Sequence, residues 1–315
     1  MEKIAYGGWP NCIRLTNGNV ELIATTDVGP RIIRYGFVGQ DNEFHEAASD
    51  MGKTGGDEWR GYGGHRLWHA PESKPRTYFP DNYPVAYQMS GDTLRLTQDT
   101  ERTTGLKKEM EITLSSNDTH AKITHRITNT NLWAAEFAPW ALTVMRAGGK
   151  AIFPQEPYSP HPDIPDYEGQ QIDTRYYMPV RNLVMWSYTK LSDPRWVFTE
   201  RYIILKQDPS RDRPQKLGMS NTHGWAAYTR NGHLFVKTTK YREGAIYPDN
   251  GCNFETFTNA DMLEMESLGP VANVAPGVTA THVEDWHLFD NVQFEDADES
   301  LDVNVGAIVG SVLAV

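Results

Sequence analysis

Two carboxylates stand two positions apart in the otherwise apolar run Met262-Leu263-Glu264-Met265-Glu266-Ser267-Leu268. Read as a strand, the run alternates its side chains, so Met262, Glu264, Glu266 and Leu268 share one face while Leu263, Met265 and Ser267 share the other. Neighbouring carboxylates on a half-buried sheet repel one another and lose hydration. That raises the pKa of at least one of them and makes it usable for proton transfer near neutral pH. The other reading is an outward-facing acidic edge, since carboxylates on strands commonly face water.

A second concentration of reactive side chains is Gly63-Gly64-His65-Arg66-Leu67-Trp68-His69-Ala70-Pro71-Glu72, which gathers an acid/base imidazole, a guanidinium, an indole and a carboxylate in ten positions. Around it, Gly55-Gly56, Gly61, Pro71, Pro75, Pro80 and Pro84 predict a long ordered loop from Met51 to Pro84, of the kind usually kept for function. His65 and His69 would share a face only on a helix, which the nearby Gly and Pro oppose, and no further ligands fall into place. No metal and no cofactor are therefore expected. Arg31 and Arg34 flank Ile32-Ile33 and are predicted to point to opposite faces, so that at most one looks into a site; by default both are solvated. His125 alternates with apolar neighbours and reads as solvent-facing. From Gln155 to Lys190 a stretch rich in Pro, Asp and Tyr carries His161, Arg175, Tyr176, Tyr177 and Arg181. It suits a lid or rim that stacks on the C–H face of a sugar and bonds its hydroxyls, or equally the cover of a sheet edge.

The elements that must hold these groups are short strands. Ile13-Arg14-Leu15, Val20–Thr26 and Arg31–Val38 are β-branched runs punctuated by Asn-Gly and Gly-Pro, an antiparallel meander. Val85–Met89, Thr93–Thr97, Leu106–Leu114 and Ala121–Asn129 alternate with period two between Ser-Gly-Asp and Ser-Ser-Asn-Asp turns. Pro139–Met145 is continuously apolar, as for a strand buried on both faces. Tyr202–Lys206, Trp225–Tyr228, Leu234–Thr238 and Cys252–Phe257 add more strands, and no long amphipathic helix, phosphate loop or nucleophile elbow is evident.

Composition limits the partners. The net charge of −11 opposes binding to nucleic acid or an anionic membrane, both of which need a basic footprint. No run is long enough to span a membrane, and the N-terminus lacks the apolar core of a signal peptide. Two cysteines, Cys12 and Cys252, are too few for a disulfide framework and predict free thiols in the cytoplasm.

Leu263-Glu264, Pro270, Ala275-Pro276-Gly277, Thr281 and Trp286-His287-Leu288-Phe289 together resemble the C-terminal signature of the aldose 1-epimerase (galactose mutarotase) superfamily, where a Leu-Glu pair precedes a Pro-Gly-Glu turn and a strand ending in an aromatic. Gly29-Pro30-Arg31-Ile32 and Gly63-Gly64-His65-Arg66-Leu67-Trp68 look like an uncharacterised branch of it. The resemblance implies an all-β fold, a large antiparallel β-supersandwich formed by residues 1–315 as one domain, with a concave sugar-handling face. It also implies that Glu264 is the general base that removes the anomeric hydroxyl proton, and that His65, beside a glycine pair, acts on the ring oxygen. Val278 stands where the family has the glutamate of its turn, and no second family histidine follows Asn129-Thr130-Asn131. His65, Arg66 or His223 is the expected substitute.

The expected function is thus a mutarotase-like isomerase with Glu264, His65 and Arg66 as catalytic residues. Arg31, Trp68, His69, Tyr177, His223 and Glu266 are the expected substrate-binding residues. The alternatives are a carbohydrate-binding protein without turnover, stacking sugars on Trp59, Trp68, Tyr176 and Tyr177, and a lyase or hydrolase of a uronic sugar whose carboxylate Arg66 neutralises. The geometric expectation is that His65 and Arg66 both come within reach of Glu264.

Overall fold

The structure, a computed structural model, describes residues 1–158 and 178–314. Two antiparallel sheets face each other. The first runs in the order Glu2–Tyr6, Trp9–Thr16, Val20–Thr25, Arg31–Phe37, Gly64–Ala70, Ala135–Arg146, Met262–Leu268, Phe254–Thr258, Gln215–Met219 and Leu183–Met185, with Ala272–Val274 paired to the start of Ala135–Arg146. The second runs Trp196–Phe198, Tyr202–Lys206, Lys150–Pro154, Trp225–Arg230, His233–Thr238, Thr279–Phe289, Ala121–Asn129, Leu106–Leu114, Thr93–Thr97 and Ala86–Ser90. Alternating residues of both sheets fill the space between them, among them Leu22, Leu67, Met110, Ile123, Phe235, Leu263, Met265 and Trp286, all buried. This is the sheet-on-sheet core that period-two patterning produces.

Most of the expected strands form within a residue or two of their expected bounds. Three local readings change. Gly64–Ala70 is a central strand of the first sheet rather than part of a loop, paired with Ala135–Arg146 along its whole length. Its two faces both carry polar and apolar groups, which hid the alternation behind the flanking Gly and Pro. The register between Val20–Thr25 and Arg31–Phe37 slips at Ile23/Ala24, so Ile32 and Tyr35 both face the core and Arg31 and Arg34 both leave it on the same side. Both arginines are buried and paired, Arg31 with Asp81 and Arg34 with Glu21, rather than solvated. Finally, residues 298–313 are helical and lay Leu301, Val305 and Val309 against Ile204, Leu234 and Val236 on the outside of the second sheet. Among the described residues no helix is long and apolar enough to cross a membrane. Cys12 and Cys252 are free and buried.

Candidate active site

The outer face of the first sheet collects the chemistry. Glu264, Glu266 and Leu268 leave the core on that face, while Leu263, Met265 and Ser267 point between the sheets, as strand alternation requires. Met262–Leu268 lies beside Ala135–Arg146, which in turn lies beside Gly64–Ala70. Arg66 therefore reaches over one strand to Glu264, and its guanidinium donates to Glu264 Oε1 at 2.9 Å across a sequence separation of 198 residues. Behind Arg66 stands an aromatic wall: its Cζ lies 4.4 Å from the Trp68 ring and 5.7 Å from Trp59, and Trp68 meets Tyr78 and Trp140 at 4.9 and 5.4 Å. Trp68 is buried, with one face occupied by Arg66, so it positions the guanidinium instead of offering a free stacking surface.

On the next strand Glu255 is registered directly opposite Glu266, and from the strand beyond it Lys216 places its ammonium between them, 2.7 Å from Glu255 Oε2 and 3.1 Å from Glu266 Oε2. The Trp140 indole N–H donates to Glu266 Oε2 at 2.9 Å, and the Lys216 ammonium lies over the rings of Trp140 and Trp186 at 4.9 and 4.6 Å. Gly218, paired with Glu255, leaves the space that a Cβ would share with Cys252 Sγ and the Trp186 ring. Burial pushes the Glu266 carboxyl above the usual range and the charge on Glu264 adds to this, with Lys216 opposing. Burial raises Glu255 still further, again against Lys216. Lys216 itself is raised, because the two carboxylates outweigh the cost of burying its ammonium.

Tyr188 and His45 also feel the charges of this face. Burial raises the Tyr188 hydroxyl to about 12 against the pull of Lys216, with Glu266, Glu72 and Glu264 contributing, so it stays protonated. Burial lowers His45, against the charges of Asp261, Glu46 and Glu264. A cavity of about 380 Å³ opens beside Glu255, walled by Tyr78, Trp140 and Trp186 and carrying Glu72 and Asp249. That size lies within the range of small-molecule pockets.

His65 does not join this face. Adjacent residues of a strand point to opposite sides, and His65 is fully buried between the sheets. Its Nε2 meets His125 Nε2 at 2.7 Å and its Nδ1 meets the Thr143 hydroxyl at 2.8 Å. His125 faces the carbonyl of His282 through Nδ1, which assigns that proton, so His65 donates through Nε2 and accepts from Thr143. His125 is thus a core residue rather than a solvent-facing one. Nearby, Glu284 accepts from Trp286 Nε1 at 2.8 Å and is ion-paired with Lys237 Nζ at 2.8 Å, and Ser267 bridges it to His282. Burial alone would raise Glu284, but Lys237 and the three imidazoles hold it well below the carboxylate range. Ligand atoms of His65, His125 and Glu284 lie within 4.8 Å of one another, a grouping that spacing along the chain could not reveal. Hydrogen bonds and the ion pair close this cluster, whereas a divalent cation would add two charges beside buried Lys237 with one carboxylate to balance them.

The remaining expected residues are dispersed. Arg31 is registered next to Arg66 on the site face, but its guanidinium is committed to Asp81 and the Gly63 carbonyl. His69 lies on the core face with both ring nitrogens unpartnered, lowered to about 2 by burial and by Lys108 and Arg76. His223 is an exposed turn residue. Tyr176 and Tyr177, with His161 and Arg175, lie outside the described residues. The groups that sequence reasoning missed are Glu255, Lys216, Trp140, Trp186, Tyr188 and His45. Glu255 carried the same signal as Glu264, a carboxylate inside an apolar strand, in Phe254-Glu255-Thr256-Phe257.

This architecture is the galactose mutarotase-like β-supersandwich. A candidate aldose 1-epimerase from Klebsiella pneumoniae superposes over 99% of this chain and 86% of its own, with 12% identity and a TM-score of 0.57. A galactose mutarotase-like protein from Lactobacillus casei covers 89% of this chain and 100% of its own at 11% identity, TM-score 0.53. The Slr1438 protein from Synechocystis covers 92% and 100% at 13% identity, TM-score 0.54. No protein-family model matches the sequence, and no curated protein matches it.

Proposed function

We propose that the protein is a sugar isomerase of the aldose 1-epimerase kind, opening and reclosing a hemiacetal in the cleft between Arg66–Glu264 and the Trp140–Trp186 wall. The observation that carries this reading is Glu264 itself, a carboxylate oriented by Arg66, which is backed by an aromatic wall. Glu264 takes the anomeric hydroxyl proton. Tyr188, kept protonated by its burial, donates to the ring oxygen as charge develops there. Arg66 positions the carboxylate and stabilises it once the sugar has displaced water. Positioned acid/base assistance of this kind typically contributes about 10²–10⁴ in rate.

The names of the superposed proteins support a sugar as substrate. The net charge of −11 supports a partner other than nucleic acid or membrane, and the free cysteines support the cytoplasm. The Arg66–Glu264 ion pair also favours a second reading, sugar binding without turnover, because a paired carboxylate is a common structural device. A uronic substrate fits less well, since Glu72, Asp249 and Glu255 would face its carboxylate.

Polarimetry of freshly dissolved α-sugars separates the readings. Faster equilibration with the wild-type protein, lost in Glu264→Gln, is the expected result. Equal rates for wild type, variant and buffer across a broad sugar panel, with binding intact, would leave the binding protein.

A further inference from the structure

The Glu255–Lys216–Glu266 group holds two carboxyls and one ammonium, and all three residues are buried. Arg66 does not balance the surplus carboxyl, because it is committed to Glu264. Glu266 uses its oxygens on Trp140 and Lys216. Glu255 does not: its Oε2 is paired with Lys216 at 2.7 Å, and its Oε1 has no hydrogen-bond partner. A fully buried carboxyl with an orphaned oxygen needs a donor, and this one forms part of the lining of the 380 Å³ cavity. The other charged lining groups are Glu72, Asp249 and Lys74. The walls are suited to cations as well. Trp140 and Trp186 already hold the Lys216 ammonium against their rings, and Tyr78 holds the Lys74 ammonium at 4.9 Å.

We propose that this cavity binds the ammonium group of an amino sugar, with Glu255 as its receptor and Trp140, Trp186 and Tyr78 as its aromatic cage. The proposal rests on the cleft being a sugar site and adds the substrate class. A protonated amine supplies the donors that Glu255 Oε1 lacks and the positive charge that allows Glu255 to ionise beside Glu266. A neutral hydroxyl supplies only the first, and an anionic sugar opposes both. The ammonium then anchors one end of the ring, leaving the anomeric carbon to be presented to Glu264.

Calorimetric titration at neutral pH tests this with glucosamine, N-acetylglucosamine, glucose and glucuronate. The expected result is that glucosamine binds at least about tenfold more tightly than the other three, a difference of about 1.4 kcal/mol. Glucose keeps the ring and replaces the ammonium with a neutral hydroxyl of similar size, so that comparison is decisive with the wild-type protein alone. Glu255→Gln should bring glucosamine down to the level of glucose. Equal or tighter binding of glucose or N-acetylglucosamine, no binding of any of the four, or an undiminished glucosamine preference in a folded Glu255→Gln variant would overturn the proposal. A preference for glucosamine without any acceleration of anomeric exchange would retain the cation site and remove the isomerase. Accelerated exchange of glucose without the preference would do the reverse.

Discussion

Lys216 is the residue on which the electrostatics of the cleft turn. It neutralises part of two carboxyls that could not otherwise both ionise in the sheet, and it lies in a cradle of two indoles. Replacing it with methionine fills the volume but leaves Glu255 and Glu266 without their cation. Breaking a buried pair in this way costs about 3–5 kcal/mol at neutral pH. Both carboxyls are raised in the folded state, so they favour folding when protonated. Their contribution is present below the carboxylate range of the unfolded chain and disappears as the pH rises through the folded values. Urea unfolding should therefore show Lys216→Met strongly destabilised at pH 8 and much closer to wild type at pH 5; an equal deficit at both would mean that the loss is one of packing.

At the scale of elements, what was legible was the alternation. Leu106–Leu114 and Ala121–Asn129 alternate over nine residues each, and Met262–Leu268 places both acids on one face, because a two-residue period in a half-buried sheet admits one register. Gly64–Ala70 was not legible. A central strand whose opposite faces serve a polar core cluster and a candidate cleft shows no apolar period, and the glycines before it resemble a loop. The placement of His65 failed with it, since strand direction decides whether a side chain enters the cleft or the core. Nor could the slip at Ile23/Ala24 be read, because a bulge leaves no mark in residue types here. The Gln215–Met219 strand contributes by omission: a Cβ at Gly218 would meet Cys252 Sγ at 2.5 Å and press on the Trp186 ring at 3.3 Å, the ring that stands over Lys216. Gly218→Ala should cost about 1–3 kcal/mol by overpacking and tilt the indole off the ammonium. Weakened sugar binding with a retained fold, followed by tryptophan fluorescence, is the expected outcome; unchanged affinity would detach Trp186 from the site.

For the whole molecule, the two sheets enclose a polar cluster that fixes how acid acts on the fold. His65, His69, His125 and His282 are buried neutral, with His125 lowered to about 4 and His282 to about 3, burial being the first cause in each case. In the unfolded chain each would titrate near 6.5. Their contribution to stability is present above that value and is lost as the pH falls through the folded values. Glu43, Glu255 and Glu266 act in the opposite sense, but with His45 and His287 also lowered three carboxyls oppose six imidazoles, so the net slope between pH 6.5 and pH 4.5 has the sign of the histidines. Urea midpoints should fall steadily over that window, and a flat or rising profile would show that the cluster is open to water.

The fold could be anticipated from strand patterns spread along the chain, whereas the cleft is made by side chains that meet only through sheet order, as Arg66 and Glu264 do. The structure of a sugar complex tests that convergence most directly. The expected result is a ring against Trp140 and Tyr78, with its anomeric hydroxyl within about 3.2 Å of the Glu264 carboxylate, the reach that proton transfer requires. A sugar bound elsewhere, or one whose anomeric carbon is turned away from Glu264, would contradict it.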